Sequence, residues 1–165
     1  MDLSRLLRHW RTGGSTVSRA FPAATLARIE TVIGEVERTH AGQIRFAVEA
    51  DLPTGDLLAG VMGQDRALQV FSDLRVWDTE HNNGVLIYLL LADRDVEIVA
   101  DRGIHARAGA EAWEAVCRAM EACFHDGRFE EGAVTGIRAV GALIATHFPP
   151  TGTGRNELPD APVLL

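Results

Sequence analysis

The chain has 165 residues, 47% of them apolar and 24% charged, the balance of a single globular domain rather than of a disordered or membrane-embedded chain. Its formal charge of −7 argues against a nucleic-acid partner, which would require a basic face to neutralise phosphates. No apolar run reaches the roughly 18 residues needed to cross a bilayer, so no membrane-spanning segment is expected.

All sixteen basic residues are arginine, and Arg5, Arg8, Arg11 and Arg19 crowd into the first twenty positions against Asp2 alone. The remaining body is more acidic than the whole, which suits a metal cation or a basic partner. The arginines interrupt any signal-peptide pattern, so a cytoplasmic location is expected, at most peripheral to the inner membrane. Cys117 and Cys123, six apart in a helical pattern, point to different faces and read as core thiols rather than a disulfide or chelate.

Leu3, Leu6, Leu7 and Trp10 recur at i, i+3, i+4 and i+7, with Arg5, Arg8 and Arg11 off that stripe. Residues 1–20 therefore form a basic amphipathic arm. Its stripe either contacts an anionic membrane surface or protein partner, or packs on the protein's own body.

The domain proper is expected over residues 21–148. Leu26, Ile29, Val32, Ile33 and Val36 place a helix at about 22–40, between Pro22 and Gly42. QIRFAVEA alternates as a strand, and DLLAGVMGQDRALQVFSDL reads as a helix weakened by Gly60 and Gly63. GVLIYLLL, apolar without alternation, is a strand buried on both faces. Strand, helix and strand make a right-handed parallel βαβ unit. ADRD then turns the chain, and VEIVA returns antiparallel with Glu97 outward and Val96, Ile98 and Val99 inward. Two helices follow, one carrying Trp113 to Phe124 and one Ile137 to Phe148. Residues 149–165, rich in turn formers, are expected to be a flexible tail. The fold class is a three-layer α/β/α sandwich on a small mixed sheet.

This order places the WDTEHNNG loop before the central strand and Asp101-Arg102-Gly103 after the antiparallel one at the same sheet end. Asp78, Glu80, His81, Asn82, Asn83, Asp101 and Arg102 become neighbours. Asp78, Glu80, Asn82, Asn83 and Asp101 form an oxygen-rich set of the kind calcium or magnesium prefers, although the spacing is not that of an EF-hand. The plainer reading is structural, with Asp78 or Thr79 capping a turn and Asn82-Asn83-Gly84 supplying left-handed backbone. The opposite end gathers Glu49, Asp51, Asp93 and Asp95, where ligands of open α/β sheets usually sit. Walker, zinc-type and nucleophile-elbow motifs do not occur.

The run NNGVLIYLLLADRDVEIVADRGI, a helix with a tryptophan, and GRFEEGAVTGIRAVGALI together resemble the TPM domain, over about residues 22–148. The resemblance implies an α/β/α sandwich, divalent metal in some members and weak acid phosphatase activity in some. Many relatives carry aspartate-asparagine-glycine where Asn82-Asn83-Gly84 stands, and glycine-tyrosine-glycine where Asp101-Arg102-Gly103 stands. A carboxylate has thus moved from one loop to the other. The expected function is a divalent-metal-binding accessory or interaction module, possible catalytic residues being unassigned. The alternative is a weak metal-dependent acid phosphatase in which Arg102 contacts phosphate or else bridges to a neighbouring aspartate.

Overall fold

The computed structural model describes residues 3–152 and 156–165. Four strands lie in the order β3-β2-β1-β4. β1 (Gln43–Glu49) and β2 (Gly84–Leu90) pair in parallel, from Gln43 opposite Gly84 to Glu49 opposite Leu90. β3 (Asp95–Ala100) returns antiparallel along β2. Every residue of β1 and β2 is buried, as the unbroken apolar run of β2 requires of a strand covered on both faces; in β1 the alternating Gln43, Arg45 and Glu49 are buried as well.

Alternate side chains enter two cores. Ile44, Phe46, Val48, Val85, Ile87 and Leu89 face the layer built from α3 (Ala23–Glu37), α6 (Arg102–Ala108), α7 (Ala110–His125) and α8 (Phe129–His147). Ala47, Leu86, Tyr88 and Leu90 face the opposite layer, where α5 (Gly63–Asp73) contributes Ala67 and Val70. The architecture is the three-layer sandwich with a parallel βαβ unit and an antiparallel hairpin strand.

Several elements differ from the pattern in the sequence. The single helix expected at about 56–74 is split into α4 (Thr54–Leu58) and α5, because Gly60 adopts φ +79° and ends the first segment. Helix α6 follows β3 directly, with Asp101 as its N-cap, in a stretch too short to show a period. Val99 packs in the α5-side core, opposite Val96 and Ile98, as strict strand alternation demands.

The arm is also folded onto the body. It forms α1 (Leu3–Arg11) and α2 (Gly14–Ala20), with Val17 buried in the larger core. Residues 156–165 run along the sheet, where Val163–Leu164 forms β4 beside Ala47 and Val48. Gln43 Oε1 accepts the Glu157 and Leu158 amides, Arg45 donates to the Pro159 and Ala161 carbonyls, and Leu158 is buried. Turn-forming composition does not report such side-chain anchors, which sit more than a hundred residues away in β1.

Burial pushes the Glu37 carboxyl from 4.5 up to about 8; the Ile44 amide and Arg45 oppose the shift, and Asp160 adds to it. A carboxyl raised in the fold stabilises fully below its unfolded pKa, and that contribution is lost as pH rises through the folded value. Glu37→Gln keeps the Oε1 acceptor for Ile44, 2.7 Å away in the native chain. Calorimetric melting should therefore show the native protein losing a few degrees relative to Glu37→Gln between pH 5 and 9. Parallel melting curves for the two proteins would refute this.

Candidate functional site

At the strand-entry end, Thr79 is buried and its hydroxyl accepts the Asn83 amide at 3.1 Å. Asn82 takes φ +51°, and Asn83 is wholly buried, donating Nδ2 to the Ala41 carbonyl at 3.0 Å. Thr79 thus caps the turn as the sequence reading allows, but of Asn82, Asn83 and Gly84 only Asn82 adopts the left-handed backbone. Asp78, Glu80, His81 and Asn82 are exposed. The Glu80 amide donates to Glu157, so the C-terminal segment also braces this loop.

Asp101 is buried beside the loop. Its Oδ1 accepts the Arg102 amide at 2.7 Å and caps α6, while its backbone amide pairs with the Gly84 carbonyl. A Cβ at Gly103 would overlap the Asn82 carbonyl oxygen and touch that of His81. The two loops therefore do meet at one sheet end. Arg102 is exposed and forms no ion pair among the described residues. Among those residues, too, no three His, Cys, Asp or Glu side chains are arranged to hold a metal ion. The distinctive feature is subtler: Asn83 Oδ1 and Asp101 Oδ2 are both buried acceptors without a partner.

The carboxyl end of β1 and β2 is closed by protein groups. Tyr88 donates its hydroxyl to Glu49 at 2.6 Å, and Arg66 of α5 meets the same carboxylate at 2.8 and 3.0 Å. Burial and the adjacent Glu49 carboxylate push the Tyr88 hydroxyl well above the usual phenol range. Asp95 is raised by burial and by Glu121 and Asp93, and Glu97 reaches about 7 through burial and Asp95. These acids hold protons more readily than surface carboxylates do, which lets them lie side by side.

Asp93 behaves differently because the arm binds it. Arg5 Nε donates at 2.9 Å, Arg8 at 2.8 Å, and His9 Nε2 lies 3.1 Å away. Burial raises the Asp93 carboxyl, but these three donors outweigh it and hold it below the ordinary range. His9 is buried, and its Nδ1 accepts the Leu52 amide at 2.9 Å, which assigns the ring proton to Nε2. The polar side of α1 consequently faces the body. Leu3, Leu7 and Trp10 are 62%, 56% and 65% exposed, with Leu6 half-buried.

Glu49 was placed at this end by the sequence, but His9, Tyr88 and Arg66 were not singled out. One signal was available: Tyr88 is the sole tyrosine and lies inside an apolar strand, where its hydroxyl needs a buried partner.

Residues 17–143 match the profile of the TPM domain. Among solved structures, the chain is similar to the BA42 protein of the psychrophilic bacterium Bizionia argentinensis. The two share 29% identity with a TM-score of 0.78, over 88% of this chain and 95% of that one. The N-terminal domain of a P. gingivalis protein shares the fold at 19% identity and TM-score 0.60, covering 76% of this chain and 77% of that one. So does the N-terminal domain of the cg2496 protein of Corynebacterium glutamicum, at 12% identity and TM-score 0.54, covering 74% and 72%. No curated protein matches the chain.

Proposed function

This chain belongs to the TPM domain family, and on that premise we propose that it is a divalent-cation-binding accessory or interaction module. The observation that supports this reading is the pair of unpartnered buried oxygens, Asn83 Oδ1 and Asp101 Oδ2, at the strand-entry end. A buried acceptor left unmet costs about 1–3 kcal/mol, more when charged, and a cation removes that cost. A carboxylate and an amide oxygen, joined by the His81 and Asn82 carbonyls that crowd Gly103, would supply the hard oxygens that calcium or magnesium prefers. Asp78, Glu80 and Asn82 would add oxygens from the exposed rim. With so few buried ligands, affinity should be weak, on the order of 10⁻⁴ M.

Calorimetric titration of metal-stripped protein with calcium, then with magnesium and manganese, should give saturable binding. Asp101→Asn retains an acceptor for the α6 cap but should weaken binding at least tenfold. Absence of binding to the native protein contradicts the reading. Metal-dependent phosphate release from p-nitrophenyl phosphate that disappears in Asp101→Asn would instead favour the weak acid phosphatase, with Arg102 as phosphate contact.

A second reading rests on the outward stripe of α1. An apolar ridge held away from the core and bordered by the exposed Arg11 suits a peripheral contact with an anionic membrane. No helix among the described residues is long and apolar enough to cross a membrane, so any such contact through a helix would be at the surface. Because His9 and Arg5 anchor the arm, the test uses the double substitution Leu3→Ser/Trp10→Ser rather than truncation. Sedimentation with phosphatidylglycerol vesicles should be lost in that variant, with the melting temperature nearly unchanged. Equal sedimentation of native and variant chains would exclude the stripe.

A further inference from the structure

Between the arm and the carboxyl end of the sheet lies a cleft of about 770 Å³, which shares Leu7 and Arg11 with the outward side of α1. Arg8 and Arg11 reach it from α1, and Arg94 from the turn between β2 and β3. Leu7, Leu91 and Phe129 give it apolar walls. Its volume falls within the range typical of small-molecule sites, roughly 300–1,000 Å³.

The charge in this cleft is not balanced from within. Asp93 is the sole acid among its described lining residues, and it already serves Arg5 and Arg8. Asp126 and Glu131, on the nearby turn into α8, are held by Arg128, and Glu130 accepts from Thr25. Arg94 donates to the His125 carbonyl at 3.0 Å, and Arg11 forms no ion pair among the described residues. Three guanidinium groups thus stand against one carboxylate. Arg94 also sits at φ +53°, a left-handed conformation in which glycine or asparagine would be the less strained choice. Arginine at this position places a third cation at the cleft.

We propose that this cleft binds a phosphate group carried on a small apolar body. Guanidinium forks match phosphate oxygens in geometry, and a phosphate monoester of about two negative charges meets the cationic excess that one carboxylate would leave partly unmet. The apolar walls select for the substituent. Such a group could come from a soluble phosphate monoester or from a phospholipid headgroup; the chemistry of recognition is shared.

The test titrates the full chain with phenyl phosphate and with inorganic phosphate, and in parallel sediments it with vesicles containing phosphatidic acid or phosphatidylcholine alone. Phenyl phosphate should bind saturably and more tightly than inorganic phosphate. Arg11→Ala should weaken it at least tenfold without lowering the melting temperature, and Arg94→Gln should weaken it independently. Arg138→Ala, an exposed arginine of α8 outside the cleft, is the control for net charge and should change nothing. Binding only to phosphatidic acid vesicles, with the same dependence on Arg11 and Arg94, would support the proposal and assign the headgroup as the source. The proposal is overturned if neither probe binds, or if Arg138→Ala weakens binding as much as Arg11→Ala does.

Discussion

A single carboxylate, Asp93, determines how α1 meets the rest of the molecule. It sits in the turn between β2 and β3 and gathers Arg5, Arg8 and His9 from α1. Charge-assisted hydrogen bonds of this kind are stronger than neutral ones, and a partly buried aspartate is costly unless it has them. The helix therefore turns Arg5 and His9 inward, and Leu3, Leu7 and Trp10 are left outside. Hydrophobic burial, which orients most amphipathic helices, is here overruled by one local charge requirement. The same contact forms one wall of the arginine cleft.

The two faces of the sheet divide their work unequally. The larger core is built from aliphatic and aromatic groups, including Phe21, Phe46, Phe124 and Phe129 in mutual ring contact. The smaller one is bordered by the chain of buried Tyr88 and Glu49 with half-buried Arg66, in which each polar group is met by another. A satisfied network of this type adds little net stability but punishes the loss of any member. On the open edge, the Val96 amide donates to Glu121, and the Ile98 amide is hydrogen-bonded by Cys117. Helix α7 thereby satisfies outward groups of β3 that would otherwise invite strand pairing. Burial and nearby carboxylates hold the Cys117 thiol at about 12, so it is a packed thiol rather than a reactive one.

Much of this was legible in the residues. The apolar run of β2, the alternation of β1 and the turn formers at Asp93-Arg94 specify strand, strand and hairpin without long-range information. The meeting of the WDTEHNNG loop with Asp101 follows from that topology alone, and the crowding of Gly103 against the Asn82 carbonyl agrees with it. Direction was not legible. A period of 3.6 locates the stripe on α1 but cannot say which side faces inward, because the deciding partner, Asp93, lies 84 residues beyond His9 in the chain. The anchoring of residues 156–165 is hidden for the same reason, since it rests on Gln43 and Arg45. At the candidate cation site, residue types suggest oxygen ligands, but only packing separates the buried Asn83 and Asp101 from the exposed Asp78 and Glu80.

Asp93 holds α1 in place, and amide hydrogen exchange of Asp93→Asn against the native chain tests that dependence directly. Exchange should accelerate at least tenfold at the amides of α1 and at Leu52, whose amide donates to His9, while β1 and β2 remain protected. Unchanged protection of α1 and Leu52 would show that the arm is held by something other than this carboxylate. The orientation of its apolar stripe and the arginine cleft would then need a different cause.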